Sequence, residues 1–179
     1  IKFKPAVLIM MEISELNLFK LDRELKAEKS SILIKSILSD VRDPSIVDQI
    51  FNEYRPQVVF HAAAYKHVPI QESFPWEAVK TNIFGTSNVA QSSAKYDIEK
   101  FVLVSTDKAV RPTNVMGATK RLAEFVIQDF NLSNSNTEFM SVRFGNVLGS
   151  SGSVIPIFKE QIKLGGPVTV TDPILLGFR

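Results

Sequence analysis

The chain predicts an α/β fold, a doubly wound parallel sheet, on three observations. Short apolar runs recur along it, at residues 6–11, within 31–38, and at 58–60, 101–104 and 139–142. Turn residues and amphipathic segments separate these runs, so strand and helix alternate throughout. The connections are short, and right-handed crossovers between such strands give a parallel sheet covered on both faces.

Taken in order, residues 6–11 read as a buried parallel strand ended by Glu12. Ser14 is a good N-cap for the next helix, with Leu16, Phe19, Leu21 and Leu25 as its apolar face. The second strand closes in the turn 39–43. Ser45 then caps a short helix to about Tyr54, stopped by Pro56. The third strand, 58–60, runs into His61. A loop over 65–75 leads to a long helix containing Asn82 and Gly85. The fourth strand, 101–104, is followed by Ser105, Thr106, Asp107 and Lys108, then a turn at Arg111 and Pro112, then a helix to about Phe130. The strand 139–142, a helix near 155–164 and a short strand near 168–170 complete the chain. No repeat, low-complexity segment or linker interrupts it, so residues 1–179 read as one domain, incomplete at both ends.

The chain has 179 residues, 45% hydrophobic and 22% charged, with net charge +2. Those values suit one well-buried globular domain. The charge is too small to argue for nucleic acid or an acidic membrane surface. With no cysteine and two histidines, thiolate and His-rich metal sites are excluded, a reducing compartment fits, and no metal is expected. No apolar run approaches the roughly 20 residues of a membrane span, and no signal peptide opens the chain.

Chemistry in open α/β sheets sits at strand C-termini, and candidate groups gather there. Glu12 stands where dinucleotide-binding folds keep an acid for the adenosine ribose hydroxyls. That holds if a first strand and its glycine-rich turn lie outside the chain, because no G-x-G-x-x-G occurs in it. A solvated carboxylate is the equal alternative. Asp40 and Val41 fall where an adenine edge would rest, although such clusters are also ordinary turns. Ala62, Ala63 and Ala64 let a flat ligand approach the backbone, or let a helix pack closely. Asn82, inside a helix, reads as a buried bridge between backbone groups of neighbouring strands. Met116 and Lys120 share one helix face, so Lys120 can point back at the strand end bearing Thr106. Asp107 and Lys108 supply an acid and a base candidate. Asn146 and the Ser/Gly loop to Ser153 could hold a phosphate-bearing substrate or be simple turns.

The segments HAAAYKHVP (61–69), KTNIFGT (80–86), STDKAVRPTNVM (105–116), GATKR (117–121) and RFGNVLGS (143–150) resemble one family. This is the CapD-type nucleotide-sugar dehydratases of polysaccharide biosynthesis, UDP-N-acetylglucosamine 4,6-dehydratases of the extended short-chain dehydrogenase/reductase superfamily. The resemblance implies a Rossmann-like fold, NAD as cofactor and a UDP-sugar substrate. It implies hydride removal from sugar C4, loss of water across C5 and C6, and hydride return to C6. Thr106 would then bind the C4 hydroxyl, Asp107 protonate the departing C6 hydroxyl, Lys108 remove the C5 proton and Lys120 bind the nicotinamide ribose. Glu12, Asp40, Val41, Ala62, Ala63, Ala64, Asn82 and Ser105 would line the cofactor. Lys66, His67, Asn146, Ser153 and Val154 would line the substrate.

Two departures stand out. Met116 occupies the place of the superfamily's proton-transferring Tyr, as in the large membrane-anchored branch, leaving Asp107, or Lys120 through Thr106, to deprotonate the C4 hydroxyl. Residues 173–179 do not match the family's continuation into a substrate subdomain. The resemblance thus implies a homo-oligomer and a cytoplasmic domain, anchored at the bacterial inner membrane through segments outside this chain. An epimerase on the same scaffold and a non-catalytic nucleotide-binding module are the alternatives.

Overall fold

A computed structural model describes residues 3–28, 31–133, 136–145 and 154–168. The chain forms two compact units, residues 1–142 and 143–179. In the first, β1 (Val7–Glu12) pairs in parallel with β2 (Leu33–Leu38), Val7 opposite Leu33 and Glu12 opposite Leu38. A second sheet runs β3 (Val58–His61), β4 (Lys100–Thr106), β5 (Glu138–Phe144), with β3 and β4 parallel. The parallel α/β architecture is as the sequence predicts, but the strands lie in two sheets rather than one.

Between the strands come α1 (Glu15–Ala27), α2 (Pro44–Tyr54), α3 (Val68–Ser73), α4 (Pro75–Ala78), a π-helical stretch (Val79–Gly85) and α5 (Thr86–Lys95). A 3-10 turn (Asp107–Ala109) and α6 (Val115–Leu132) follow β4. In the second unit α7 spans Val154–Lys163.

The core gathers on β4, where period-two alternation turns Phe101, Leu103 and Ser105 to the same buried face. Phe101 and Leu103 pack with Val47, Phe51, Val89, Ala123, Ile127 and Phe139. Burying a Phe or Leu fully is worth about 1.5–3 kcal/mol, so β4 and its flanking helices anchor the rim above them.

Several local expectations change. Ser14 does cap α1, accepting the Asn17 N–H at 3.3 Å. Its buried residue is Leu18, however, while Leu16, Phe19 and Leu21 are exposed and Leu25 is half-buried. The apolar face is therefore not the one that packs. The α2 cap is Asp43 rather than Ser45, because Asp43 Oδ1 accepts the N–H groups of both Ser45 and Ile46. The loop read over 65–75 contains α3, which starts with Pro69 in its first turn. β1 holds no fully buried residue. Val168 is not in a strand, and residues 169–170 lie outside the described residues.

Candidate functional site

Strand ends carry most of the expected groups, and they fall into two clusters. At the β1–β2 end, Glu12 Oε1 accepts the Ser14 N–H at 2.9 Å, so this carboxylate also steadies the turn into α1. Asp40 is committed to Arg42, accepting its backbone N–H at 2.9 Å and its Nε–H at 2.6 Å. Arg42 reaches on to Glu77 at 2.9 Å. Val41 holds the nearby helix through its carbonyl, which accepts from Asn88 at 2.9 Å. With Lys80 and Phe84, the Asp40–Arg42 pair lines an open hollow of about 500 Å³.

At the end of β4 the central cluster assembles. Thr106 Oγ1 donates to Asp107 Oδ1 at 3.0 Å and accepts the Lys108 N–H at 3.4 Å, capping the 3-10 turn. Lys108 Nζ stands 3.2 Å from the same Asp107 oxygen. Burial works against ionisation of Asp107, but the hydrogen bonds from Thr106 and Lys108 and the Lys108 charge outweigh it and hold the carboxyl below its usual range. Gly117 lets this turn sit directly on α6, since a Cβ there would stand 2.5 Å from the Lys108 carbonyl oxygen. Asn114 caps α6 by accepting the Gly117 N–H at 2.8 Å, and Glu72 accepts the Val115 N–H at 2.7 Å.

Beneath the cluster lies a buried polar layer. Lys120 does point back at β4, as its spacing implies, but its Nζ donates to the Val104 carbonyl at 2.6 Å. Burial pushes its pKa down to about 8, against the opposing charge of Glu124. Asn82, fully buried, accepts the Tyr65 N–H at 2.9 Å and donates to Tyr65 O at 3.2 Å and Thr119 Oγ1 at 3.0 Å. It therefore ties the loop after β3 to α6, instead of joining two strands as expected. His61 Nε2 lies 3.0 Å from Thr86 Oγ1. Thr86 gives its own proton to Asn82 O at 2.7 Å, so Nε2 carries the imidazole proton and donates. Burial and then the Lys120 charge push the His61 pKa down to about 3, so the ring is neutral.

Ser105 points inward from β4 and donates to Glu124 Oε1 at 2.6 Å. Met116 is buried. Ala62 is exposed and Ala63 and Ala64 half-buried, which leaves their backbone approachable. Lys66 and His67 come together with Tyr65 and Gln71 on a hollow of about 390 Å³. Asn146 and Ser153 lie outside the described residues; Val154 opens α7 in the second unit, and its side chain is not described. Sequence reasoning missed Glu124, Thr119 and Glu72. Glu124 had a signal: it falls four residues after Lys120 and eight after Met116, a carboxylate on the helix's buried face.

The family described as polysaccharide biosynthesis protein matches residues 1–179. The chain belongs to this family. Among relatives, the capsular polysaccharide biosynthesis protein CapD of Staphylococcus aureus is 51% identical over 173 residues, 96% of this chain and 29% of that one. Among solved structures, Pen from Bacillus thuringiensis superposes with a TM-score of 0.86 at 43% identity, over 94% of this chain and 51% of that one. The dTDP-glucose 4,6-dehydratase DesIV of Streptomyces venezuelae, solved with NAD and TYD bound, gives a TM-score of 0.78 at 19% identity, over 92% and 55% of the two chains. That likeness is one of fold, Rossmann-like. The chain thus spans 29% of the length of CapD and about half that of Pen. Among its described residues, no helix is long and apolar enough to cross a membrane.

Proposed function

We propose that this chain carries the reaction centre of an NAD-dependent 4,6-dehydratase acting on a UDP-N-acetylhexosamine, foremost UDP-N-acetylglucosamine, for bacterial surface glycan synthesis. The observation that carries the reading is the run Thr106, Asp107, Lys108 at one strand end, linked at 3.0 and 3.2 Å, with Lys120 seated at Val104 beside it. Membership of the polysaccharide biosynthesis family supports the pathway class, and the resemblance to the CapD-type dehydratases suggests the sugar nucleotide.

The donor set fits the cofactor. Glu12 offers its second carboxylate oxygen to a ribose hydroxyl, and the small residues 62–64 leave room for a flat ring. Lys120 has ammonium protons beyond the one given to Val104, available for the nicotinamide ribose. Asp40, engaged by Arg42, would share its oxygens with an adenine amine. When bound, NAD supplies a hydride acceptor at C4 and returns the hydride to C6.

Protons are the protein's task. Met116 has none to exchange, so the C4 hydroxyl proton passes through Thr106 Oγ1 to Asp107, the acceptor Thr106 already faces. Asp107, now protonated, delivers that proton to the C6 hydroxyl, which departs as water. Lys108 in its neutral form takes the C5 proton and gives it back when C6 receives the hydride. Lys66 and His67, with Asn146, Ser153 and Val154, are assigned to the substrate. The full-length protein is proposed as a homo-oligomer with its catalytic domain on the cytoplasmic side of the inner membrane.

The test is to incubate full-length protein with UDP-N-acetylglucosamine and weigh the product. A product lighter by one water is expected, while an isomer of unchanged mass would make the protein an epimerase. Lys108→Ala should lower dehydration by at least about 100-fold and leave sugar-nucleotide binding within a few fold. Unchanged turnover would remove Lys108 from the mechanism.

A further inference from the structure

We propose that Glu124 is a positioning residue of this site: its buried carboxylate fixes Ser105 beneath the rim and supplies the counter-charge to Lys120. The inference rests on the reading of Lys120 as the residue that grips the cofactor.

Met116, Lys120 and Glu124 succeed one another at four-residue spacing on the buried face of α6. Glu124 is 1% exposed, in a helix whose neighbouring buried positions are Ala123 and Ile127. Packing gives no reason for a carboxylate there, because an apolar side chain of similar volume is commonly as stable or more so. The carboxylate is instead held from two sides, by Ser105 Oγ at 2.6 Å and Arg121 Nη1 at 2.9 Å. Ser105 directly precedes Thr106, so fixing its side chain fixes where β4 ends and where Thr106 and Asp107 begin.

Glu124 pairs with Arg121 and also stands one turn from Lys120 on the buried face of α6. His61 on β3 faces Lys120 as a neutral ring. Glu72 of α3 is engaged at the Val115 N–H, and Asp107 pairs with Lys108 in the 3-10 turn. Glu77 of α4 pairs with Lys80 and Arg42, and Lys95 of α5 pairs with Asp48. Glu124 is the carboxylate whose charge acts on Lys120, supporting its cationic form against burial.

The experiment follows the lysine directly. Full-length protein labelled at lysine 13Cε is titrated by NMR, with the Lys120 signal assigned by its loss in Lys120→Arg. In Glu124→Gln, which keeps an acceptor for Ser105 and loses the charge, the Lys120 midpoint should fall by about one pH unit or more. A midpoint equal to that of the unmodified protein overturns the proposal. Should that variant not fold, Glu124→Met fills the same space with apolar atoms, and the same two outcomes decide. NAD titrations on the same samples read the consequence. The variant should match the parent near pH 5 and lose affinity at a lower pH than the parent does as pH rises, and identical pH profiles overturn the link to the cofactor. If the parent itself binds no NAD, the reading of Lys120 fails, while the NMR titration still decides the Glu124–Lys120 pairing.

Discussion

Lys120 places an ammonium where only 5% of the residue reaches solvent, and burial lowers its pKa from 10.5 to about 8. An unfolded chain keeps the proton up to its ordinary value, so between pH 8 and 10.5 the unfolded state holds more protons than the folded one. Stability therefore rises with pH across that window, and the charged lysine costs the fold on the order of 3 kcal/mol below it. Lys120→Met should abolish the extra slope between pH 8 and 10.5 in denaturant titrations, while cofactor-dependent turnover is lost. A variant with the parent's slope would mean that Lys120 is not buried as a cation. The cofactor grip proposed for Lys120 is thus held at a cost in stability. At this scale the sequence was informative where spacing alone decides. The four-residue step from Met116 puts Lys120 on the face that meets β4, and the structure has it there. It was uninformative for Ser105, whose inward direction depends on the phase of β4. For Glu124 the four-residue step from Lys120 was a signal, but its bond to Ser105 was not legible, because that partner comes from β4.

Among the elements, α6 and the 3-10 turn before it act as one piece. The turn bearing Asp107 and Lys108 rests on the first turn of α6 at Gly117, where a methyl group would meet backbone rather than a side chain that can move aside. Gly117→Ala should destabilise the protein by about 1–3 kcal/mol. It should also cut turnover on the order of 100-fold by shifting Lys108, as read from paired denaturation and rate measurements. Full activity in the variant would show that the turn can move without harm. A second special element is the π-helical stretch containing Asn82. Such stretches are rare and recur at functional sites, and this one puts Asn82 against both backbone groups of Tyr65. The sequence placed a buried Asn in a helix here. The widened winding was not legible, because it depends on how the loop after β3 packs rather than on propensity. The Asp43 cap of α2 was missed for a simpler reason: Asp43 and Ser45 are both good caps two residues apart, and only the backbone geometry chooses between them.

For the molecule as a whole, the alternation of apolar runs and amphipathic helices was enough to foresee a parallel α/β arrangement with candidate groups on strand ends. The division into two sheets and two units was not foreseeable. Apolar periodicity says which residues can be buried, and the neighbours decide which ones are, as exposed Leu16 and Phe19 on α1 illustrate. At this scale the structure gathers Thr106, Asp107, Lys108 and Lys120 around the end of β4. The account stands on one claim, that this rim moves a hydride and protons around one sugar ring and expels water. The direct measurement uses full-length protein and UDP-N-acetylglucosamine carrying deuterium at C4, with the product examined by mass spectrometry and NMR. The account predicts a product lighter by one water with the deuterium at C6, and an isomer of unchanged mass, or deuterium released to solvent, would contradict it.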